Sequence, residues 1–244
     1  MKRITFLLAI ACIFSVELST GQTIKVSEGD YRHFSDKYLG VDLYNLTAKY
    51  QYYIDANESL VMNGYFKAHT EITNSLGRAS SKVLYRINGN YNNGKKNGLW
   101  KYEIIDYGVT INVSKFNSRT WDYDHFQVGD PNEIESVKTV SVEFKDDVPS
   151  GKATATVKEK GIETLNVSCI LSGNFILGDF VGKSKGIEMK GTFDPYGRID
   201  GEWIINLKEG LYIEKNYNVY FIPNPVIKKI YDKGVLKYYK VYDK

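Results

Sequence analysis

The densest group of side chains that could do chemistry is Trp121-Asp122-Tyr123-Asp124-His125-Phe126. On an extended strand Asp122 and Asp124 share one face, while Trp121, Tyr123 and His125 share the other. Two carboxylates at that spacing suggest a glycosidase pair or a cation site, and aromatic rings beside them could stack on a sugar. A calcium ion needs more oxygen donors than this run supplies, and Asp130 and Asn132 are the nearest additions. A solvated strand face would use the same residue types. Trp121, Asp122, Tyr123 and Asp124 therefore stand as a candidate interaction site, with no catalytic role assigned. His33, His69 and His125 are far apart in sequence and form no ligand-spaced pair. Cys169 alternates with Val167 and Leu171, as a buried inert thiol would. Gly182-Lys183-Ser184 has the ending of a phosphate loop without its upstream glycines, and no Gly-x-Ser-x-Gly nucleophile turn occurs. Asp146, Asp147 and Asp194 have the short acidic side chains that suit turns. No catalytic, cofactor-binding or metal-ligating residue is assigned and no cofactor is expected, so the reading favours a non-enzymatic protein.

The elements that would carry these residues are strands. From about residue 60 the apolar period is two: Trp100, Tyr102 and Ile104; Val109, Ile111 and Val113; Val140, Val142 and Phe144; Leu165, Val167, Cys169 and Leu171; Trp203, Ile205 and Leu207. Such alternation gives a sheet one packed and one wet face. Asn93-Gly94, Asn97-Gly98, Tyr107-Gly108, Ser150-Gly151 and Lys233-Gly234 break these runs where tight turns are needed. No crossover of helical length separates them, so the expected fold is all-β, an antiparallel hairpin meander or elongated β-repeat stack. Residues 28–54 differ. Tyr31, Phe34 and Tyr38, and then Leu43, Leu46, Tyr50 and Tyr53, recur at the spacing of a short helix interrupted by Gly40.

One pattern occurs twice. Gly89, Tyr91, Gly94, Gly98, Trp100 and Tyr102 align with Gly191, Phe193, Gly197, Gly201 and Trp203, with one extra residue before the second glycine of the later copy. Each copy reads as an aromatic strand, a turn permitted by glycine and a return strand led by tryptophan. Fainter fragments follow at Phe144 to Gly151, Gly173-x-Phe175-x-x-Gly178 and Tyr231-x-x-Gly234-x-Leu236-x-Tyr238. These units resemble the degenerate MORN-type repeat of exported bacterial proteins. The resemblance implies a stack of β-hairpins that serves as a scaffold or attachment module.

The N-terminus carries an address. Lys2 and Arg3 precede an apolar run from Ile4 to Val16, and Ser19, Thr20 and Gly21 supply small residues before Gln22. That order reads as a secretory signal over residues 1–21, cleaved after Gly21. The run is shorter than the roughly 20 residues a spanning helix needs, so no transmembrane anchor is expected after its removal. A lipidated Cys12 is the alternative. Residues 22–60 form a non-repeat segment and 61–244 the β-repeat region, with a candidate division near 127–136. The expected location is exported: periplasmic, cell-surface or secreted.

With 32 Lys and Arg against 29 Asp and Glu, the near balance of charge gives no reason to expect nucleic acid. Once Cys12 leaves with the signal, Cys169 has no intrachain disulfide partner, so stability must come from packing. The 20 tyrosines include two close sets, Tyr50, Tyr52 and Tyr53, and Tyr238, Tyr239 and Tyr242, which would suit recognition. The expected partner is an envelope or extracellular protein, with a glycan-binding or glycan-cleaving β domain as the alternative function.

Overall fold

A computed structural model describes residues 23–215 and 218–243, so the signal segment, its cleavage site and Cys12 lie outside the described residues. Every regular element within them is a strand. The first five, β1 (Lys25–Asp36), β2 (Val41–Ile54), β3 (Leu60–Leu76), β4 (Ala79–Asn92) and β5 (Lys95–Tyr107), pair in chain order. A hairpin arm, β6 (Thr110–Asn117) and β7 (Asp122–Val128), then leaves the path and pairs with it only at the start of β4. The path resumes with β8 (Ile134–Lys145), β9 (Val148–Glu159), β10 (Ile162–Ser172), β11 (Phe175–Ser184), β12 (Ile187–Phe193) and β13 (Ile199–Leu207). A second arm, β14 (Leu211–Lys215) and β15 (Asn218–Ile222), forms its own two-stranded sheet. β16 (Val226–Asp232) and β17 (Val235–Tyr242) complete the path. The result is an open, elongated antiparallel meander of 15 strands, of the β-repeat kind.

The register shows a duplication deeper than the glycine pattern. Phe66 faces Gly89 and Gly64 faces Tyr91 between β3 and β4, as Phe180 faces Gly191 and Gly178 faces Phe193 between β11 and β12. The next pair slips once in each copy, between Asn88 and Asn90 and between Lys190 and Thr192. Beyond it, Trp100 faces Val142 as Trp203 faces Lys229. Even the bulge before the unit recurs, between Tyr50 and Tyr52 on β2 and between Ser168 and Ile170 on β10. Each arm interrupts its copy at the same place.

Residues 28–54 form no helix. They are β1 and β2, and the three-residue spacing has another cause. Asn45 sits mid-strand with φ 54°, a left-handed conformation that asparagine tolerates better than most residues. It resets which side of the strand faces inward, so Leu43, Leu46 and Ala48 are all buried. Further along, the bulge at Gln51 does the same for Tyr50 and Tyr53. Two interruptions of a period of two thus mimic a period near 3.6. The kink also bends the end of the β1–β2 hairpin across the sheet. In a flat sheet four strand spacings would hold β1 about 19 Å from β5, yet the rings of Phe34 and Trp100 are 6.0 Å apart. Replacing Asn45 by valine should cost about 1–2 kcal/mol in chemical denaturation, because a β-branched residue resists left-handed dihedrals, while Asn45→Gly should be close to neutral.

The core lies between that folded hairpin and the sheet, centred on Phe34, Leu46, Phe66, Ile87, Trp100 and Val142. The first arm inverts the expected facing. Val109 and Ile111 are exposed, while Thr110 is buried and its hydroxyl bonds Ser80 Oγ at 2.9 Å. Turn assignments for the acidic residues hold: Asp146 and Asp147 have positive φ between β8 and β9, and Asp194 accepts the amides of Tyr196 and Arg198.

Candidate functional site

Each tryptophan of the duplicated pattern is held by the same four contacts. A Cβ added to Gly89 would lie 2.1 Å from Trp100 Cδ2, and one added to Gly191 would lie 2.1 Å from Trp203 Cδ2. Only glycine lets the indole rest directly on the neighbouring backbone. Trp100 Nε1 donates to the carbonyl of Asn90 at 3.0 Å, and Trp203 Nε1 to that of Thr192 at 3.1 Å. Tyr91 meets Trp100 edge-on at 5.0 Å and 82°, as Phe193 meets Trp203 at 5.3 Å and 88°. Phe66 lies nearly parallel to Trp100 at 5.9 Å and 28°, as Phe180 does to Trp203 at 5.7 Å and 29°. Gly94, Gly98, Gly197 and Gly201 all have positive φ and form the turn and strand entry that bring the indole round.

The sequence pattern contains these glycines and the edge-on rings but misses the parallel rings, Phe66 and Phe180. Both sit in a Gly-x-Phe triplet, Gly64-Tyr65-Phe66 and Gly178-Asp179-Phe180, spelled like Gly-x-Tyr91 and Gly-x-Phe193. That shared spelling is the signal that could have found them.

The two aromatic units differ in what covers them. Over the first, Phe34 stacks on Phe66 at 5.5 Å and on Trp100 at 6.0 Å, and Tyr31 meets Phe66 edge-on at 5.4 Å. A buried polar latch holds that cover down. Lys96 Nζ donates to Asp36 Oδ2 at 2.7 Å, and Tyr102 OH donates to the same oxygen at 2.5 Å. The Asp36 and Lys96 side chains are 1% and 9% exposed. Asp36 Oδ1 accepts the amides of Tyr38 and Leu39, so every lone-pair direction of the carboxylate is used. Lys96 Nζ also sits 4.6 Å from the Phe34 ring centroid and 5.1 Å from that of Trp100. Burial alone would raise the Asp36 carboxyl, but hydrogen bonds from Lys96 and Tyr102, the Lys96 charge and the Leu39 amide hold it below its usual value. Burial, together with the Asp36 hydrogen bond and charge, raises the Tyr102 phenol.

Over the second unit no aromatic ring of the described residues stacks on the Phe180–Trp203 pair, and Phe180, Phe193, Met189 and Ile205 are only half-buried. Ile199 and Ile205 occupy the positions of Lys96 and Tyr102, so the latch has no counterpart there. Lys229 stands where the first unit has Val142.

The run Trp121 to Asp124 lies at the tip and start of β7, away from both units. Trp121, at φ 53°, is 83% exposed and meets Phe116 edge-on at 6.1 Å, and Tyr123 meets Phe116 at 5.5 Å. Asp122 pairs across from Asn117 and Asp124 from Lys115. Asp124 accepts from Asn117 Nδ2 at 3.0 Å. The two carboxylates share one face of a single exposed strand, with no carboxylate opposite them on β6. Among the described residues no group of three or more His, Cys, Asp and Glu converges. His33 bonds Asp42 at 2.5 Å, and His125 shares a 2.9 Å hydrogen bond with Ser114. Cys169 is half-buried, and burial raises its thiol pKa. Gly182-Lys183-Ser184 lies within β11 rather than in a loop.

Of the two tyrosine sets, Tyr50, Tyr52 and Tyr53 are largely taken up by packing. Tyr53 is buried, with its hydroxyl donating to Asn93 Oδ1 at 3.3 Å, and Tyr50 packs on Tyr31. Tyr238, Tyr239 and Tyr242 are exposed on β17, which pairs only with β16. Among the described residues no helix is long and apolar enough to cross a membrane. Comparison with protein-family models, curated proteins and solved structures finds no match.

Proposed function

We propose that this chain is an exported, non-enzymatic scaffold of the degenerate MORN type, whose β-repeat sheet receives another protein of the envelope or extracellular space. The observation that carries the reading is the duplicated glycine–tryptophan hairpin unit within one long open sheet, whose last strand β17 leaves Tyr238 and Tyr239 exposed. Exposed aromatic surface of that kind marks interaction sites. The leader-like order of residues 1–21 supports export, and the Gly-x-Trp hairpins support the repeat type.

The second reading is a glycan-binding domain, favoured by the exposed Phe116, Trp121 and Tyr123 at the tip of the first arm. One experiment addresses both. The tagged chain is expressed in a secreting bacterial host, its mature N-terminus is sequenced, and it is used for capture from envelope extracts and on a glycan array. A mature chain beginning at Gln22 that retains a specific protein supports the scaffold. An uncleaved cytoplasmic chain, or capture of no specific protein, counts against it. Array binding that is lost in Asp122→Asn and Tyr123→Ala would move the assignment to the glycan reading.

A further inference from the structure

We infer that the outer face of β2, β3 and β4 holds a doubly charged phosphate group, bound between Lys49, Lys67 and Arg86. This goes beyond the scaffold reading and does not depend on it, since the face lies on the side of the sheet opposite Phe66 and Trp100.

Alternation along the strands puts these side chains there. Phe66, Ala68 and Thr70 of β3 are buried, so Lys67 and His69 between them face solvent. The register then brings cations together. Lys49 on β2 is directly opposite Lys67, and His69 is directly opposite Arg86 on β4. Opposite side chains on one face start about 5 Å apart, and diagonal ones such as Lys67 and Arg86 about 7–8 Å. Like charges directly opposite destabilise a sheet, so the Lys49–Lys67 pair costs stability until an anion sits over it. The four side chains line a depression of about 250 Å³, with Thr47 and Asn88 beside them as neutral hydrogen-bonding groups.

The charge around this depression is unbalanced. Lys49 Nζ lies 2.7 Å from Glu28 Oε2. Arg86 Nη1 lies 3.2 Å from Glu103 Oε2, and Lys101 Nζ lies 3.5 Å from Glu103 Oε1. Lys67, in the middle, has no carboxylate within ion-pair distance among the described residues. Glu28 and Glu103 stand to either side, on β1 and β5, and neither is across from Lys67. Lys49, Lys67, Arg86 and Lys101 therefore face only two carboxylates. The surplus matches the charge of about −2 that a phosphate ester carries at neutral pH. Among the described residues Arg86 donates to Glu103 through Nη1 alone, which leaves the rest of its planar fork for a second acceptor. Further along the same face the charges are absent or matched. The row of Arg86 and Glu103 continues as Thr139, Thr156 and Asn166, and then reaches Lys183, which shares Glu188 with Lys208.

The test is a titration of the folded full chain in chloride buffer at fixed ionic strength, followed by NMR of the backbone amides. The soluble probes are inorganic phosphate and glycerol 3-phosphate. The lipid probes are phosphatidylcholine vesicles with and without about one fifth phosphatidic acid. The soluble probes should give saturable shifts at Lys49, Lys67, His69 and Arg86, half-complete near about 1 mM or below. Lys67→Gln and Arg86→Gln should each weaken binding about threefold or more. Glu28→Gln should strengthen it about twofold, because Lys49 loses its competing partner. Lys183→Gln, on the same face, should leave it unchanged. All four positions are exposed, and circular dichroism establishes that each variant is folded. Retention on phosphatidic acid vesicles that Lys67→Gln abolishes supports the site and assigns the phosphate to a lipid headgroup. Binding of the soluble probes without vesicle retention supports it and assigns a free phosphate ester. No saturable shift with either soluble probe at about 10 mM overturns the inference. Shifts spread over lysines throughout the chain, or binding undiminished in folded Lys67→Gln and Arg86→Gln, also overturn it.

Discussion

Gly89→Ala is expected to destabilise the protein by about 3 kcal/mol, at the upper end of what one added methyl does in a packed core. Gly89 has no positive φ, so backbone strain is not the reason. The added Cβ would lie 2.1 Å from one indole carbon of Trp100 and 2.3 Å from a second. Trp100 is completely buried and is fixed by the Asn90 carbonyl, by Tyr91 at its edge and by the parallel rings of Phe34 and Phe66. It cannot retreat without disturbing all of them. For a chain of this length the loss should lower the melting temperature by about 6–12 °C. The double-mutant cycle is the decisive measurement. Trp100→Ala by itself should cost about 3–5 kcal/mol, and Gly89→Ala added to it should cost almost nothing, because the clash partner is gone. Additive losses would mean that Gly89 matters for some reason other than the indole. Gly191→Ala should cost less than Gly89→Ala, since among the described residues fewer aromatic rings hold Trp203 than hold Trp100.

Breaking the latch should have an effect of comparable size and a different signature. Asp36→Ala leaves the Lys96 ammonium against Phe34, Trp100 and Phe144 without its direct ion-pair partner, with only the Ser35 carbonyl and the more distant Asp147 charge to offset it, and losing one partner of a buried pair costs about 3–5 kcal/mol. Asp36→Leu combined with Lys96→Met should recover only part of that loss: it removes both charge-desolvation penalties together, but it leaves the Tyr102 hydroxyl and the Tyr38 and Leu39 amides without their acceptor. The loss should be local at first, with amides of the β1–β2 hairpin end exchanging hydrogen faster than those of β8 to β13.

The pH dependence follows from the Asp36 carboxyl being held below its unfolded value. Its contribution is fully present above the ordinary carboxylate pKa of about 3.9, and it is lost as pH falls through the lowered folded value. Acid should therefore uncover Phe34 and Trp100 below about pH 4, a transition visible in tryptophan emission. Asp36→Asn should abolish this transition. An unchanged acid transition in that variant would show that other carboxylates govern it.

These effects involve residues that the sequence exposes to very different degrees. The glycine–tryptophan pairs are legible because a duplicated local pattern repeats their spacing, and hairpin neighbours are near in sequence. Asp36 and Lys96 carry no local signal. They lie 60 positions apart, and nothing in either neighbourhood marks one as the other's counter-charge. Residues 28–54 suggest a helix because asparagine in a left-handed conformation and a bulge at Gln51 each advance the inward-facing side by one residue, and a composition-based period cannot distinguish that from a helical turn. The first arm misleads in the opposite way. Val109 and Ile111 alternate correctly, but the side that packs on β4 is the one with Thr110, because Ser80 offers a hydroxyl partner there.

The sequence alone determined the all-β class and antiparallel pairing of this protein, since period-two runs joined by glycine turns leave no length for helical crossovers. It also determined the two tryptophan hairpins and the shared face of Asp122 and Asp124. Only the tertiary structure decided that the two aromatic units have different fates. Whether a ring is covered depends on where a strand 55 or more residues away in the chain is bent, and a single left-handed asparagine sets that bend for the first unit. The second unit has the same ring pair, but among the described residues it has neither the latch residues nor a further aromatic ring stacked on that pair. Local pattern encodes the platform, and long-range packing encodes what lies on it.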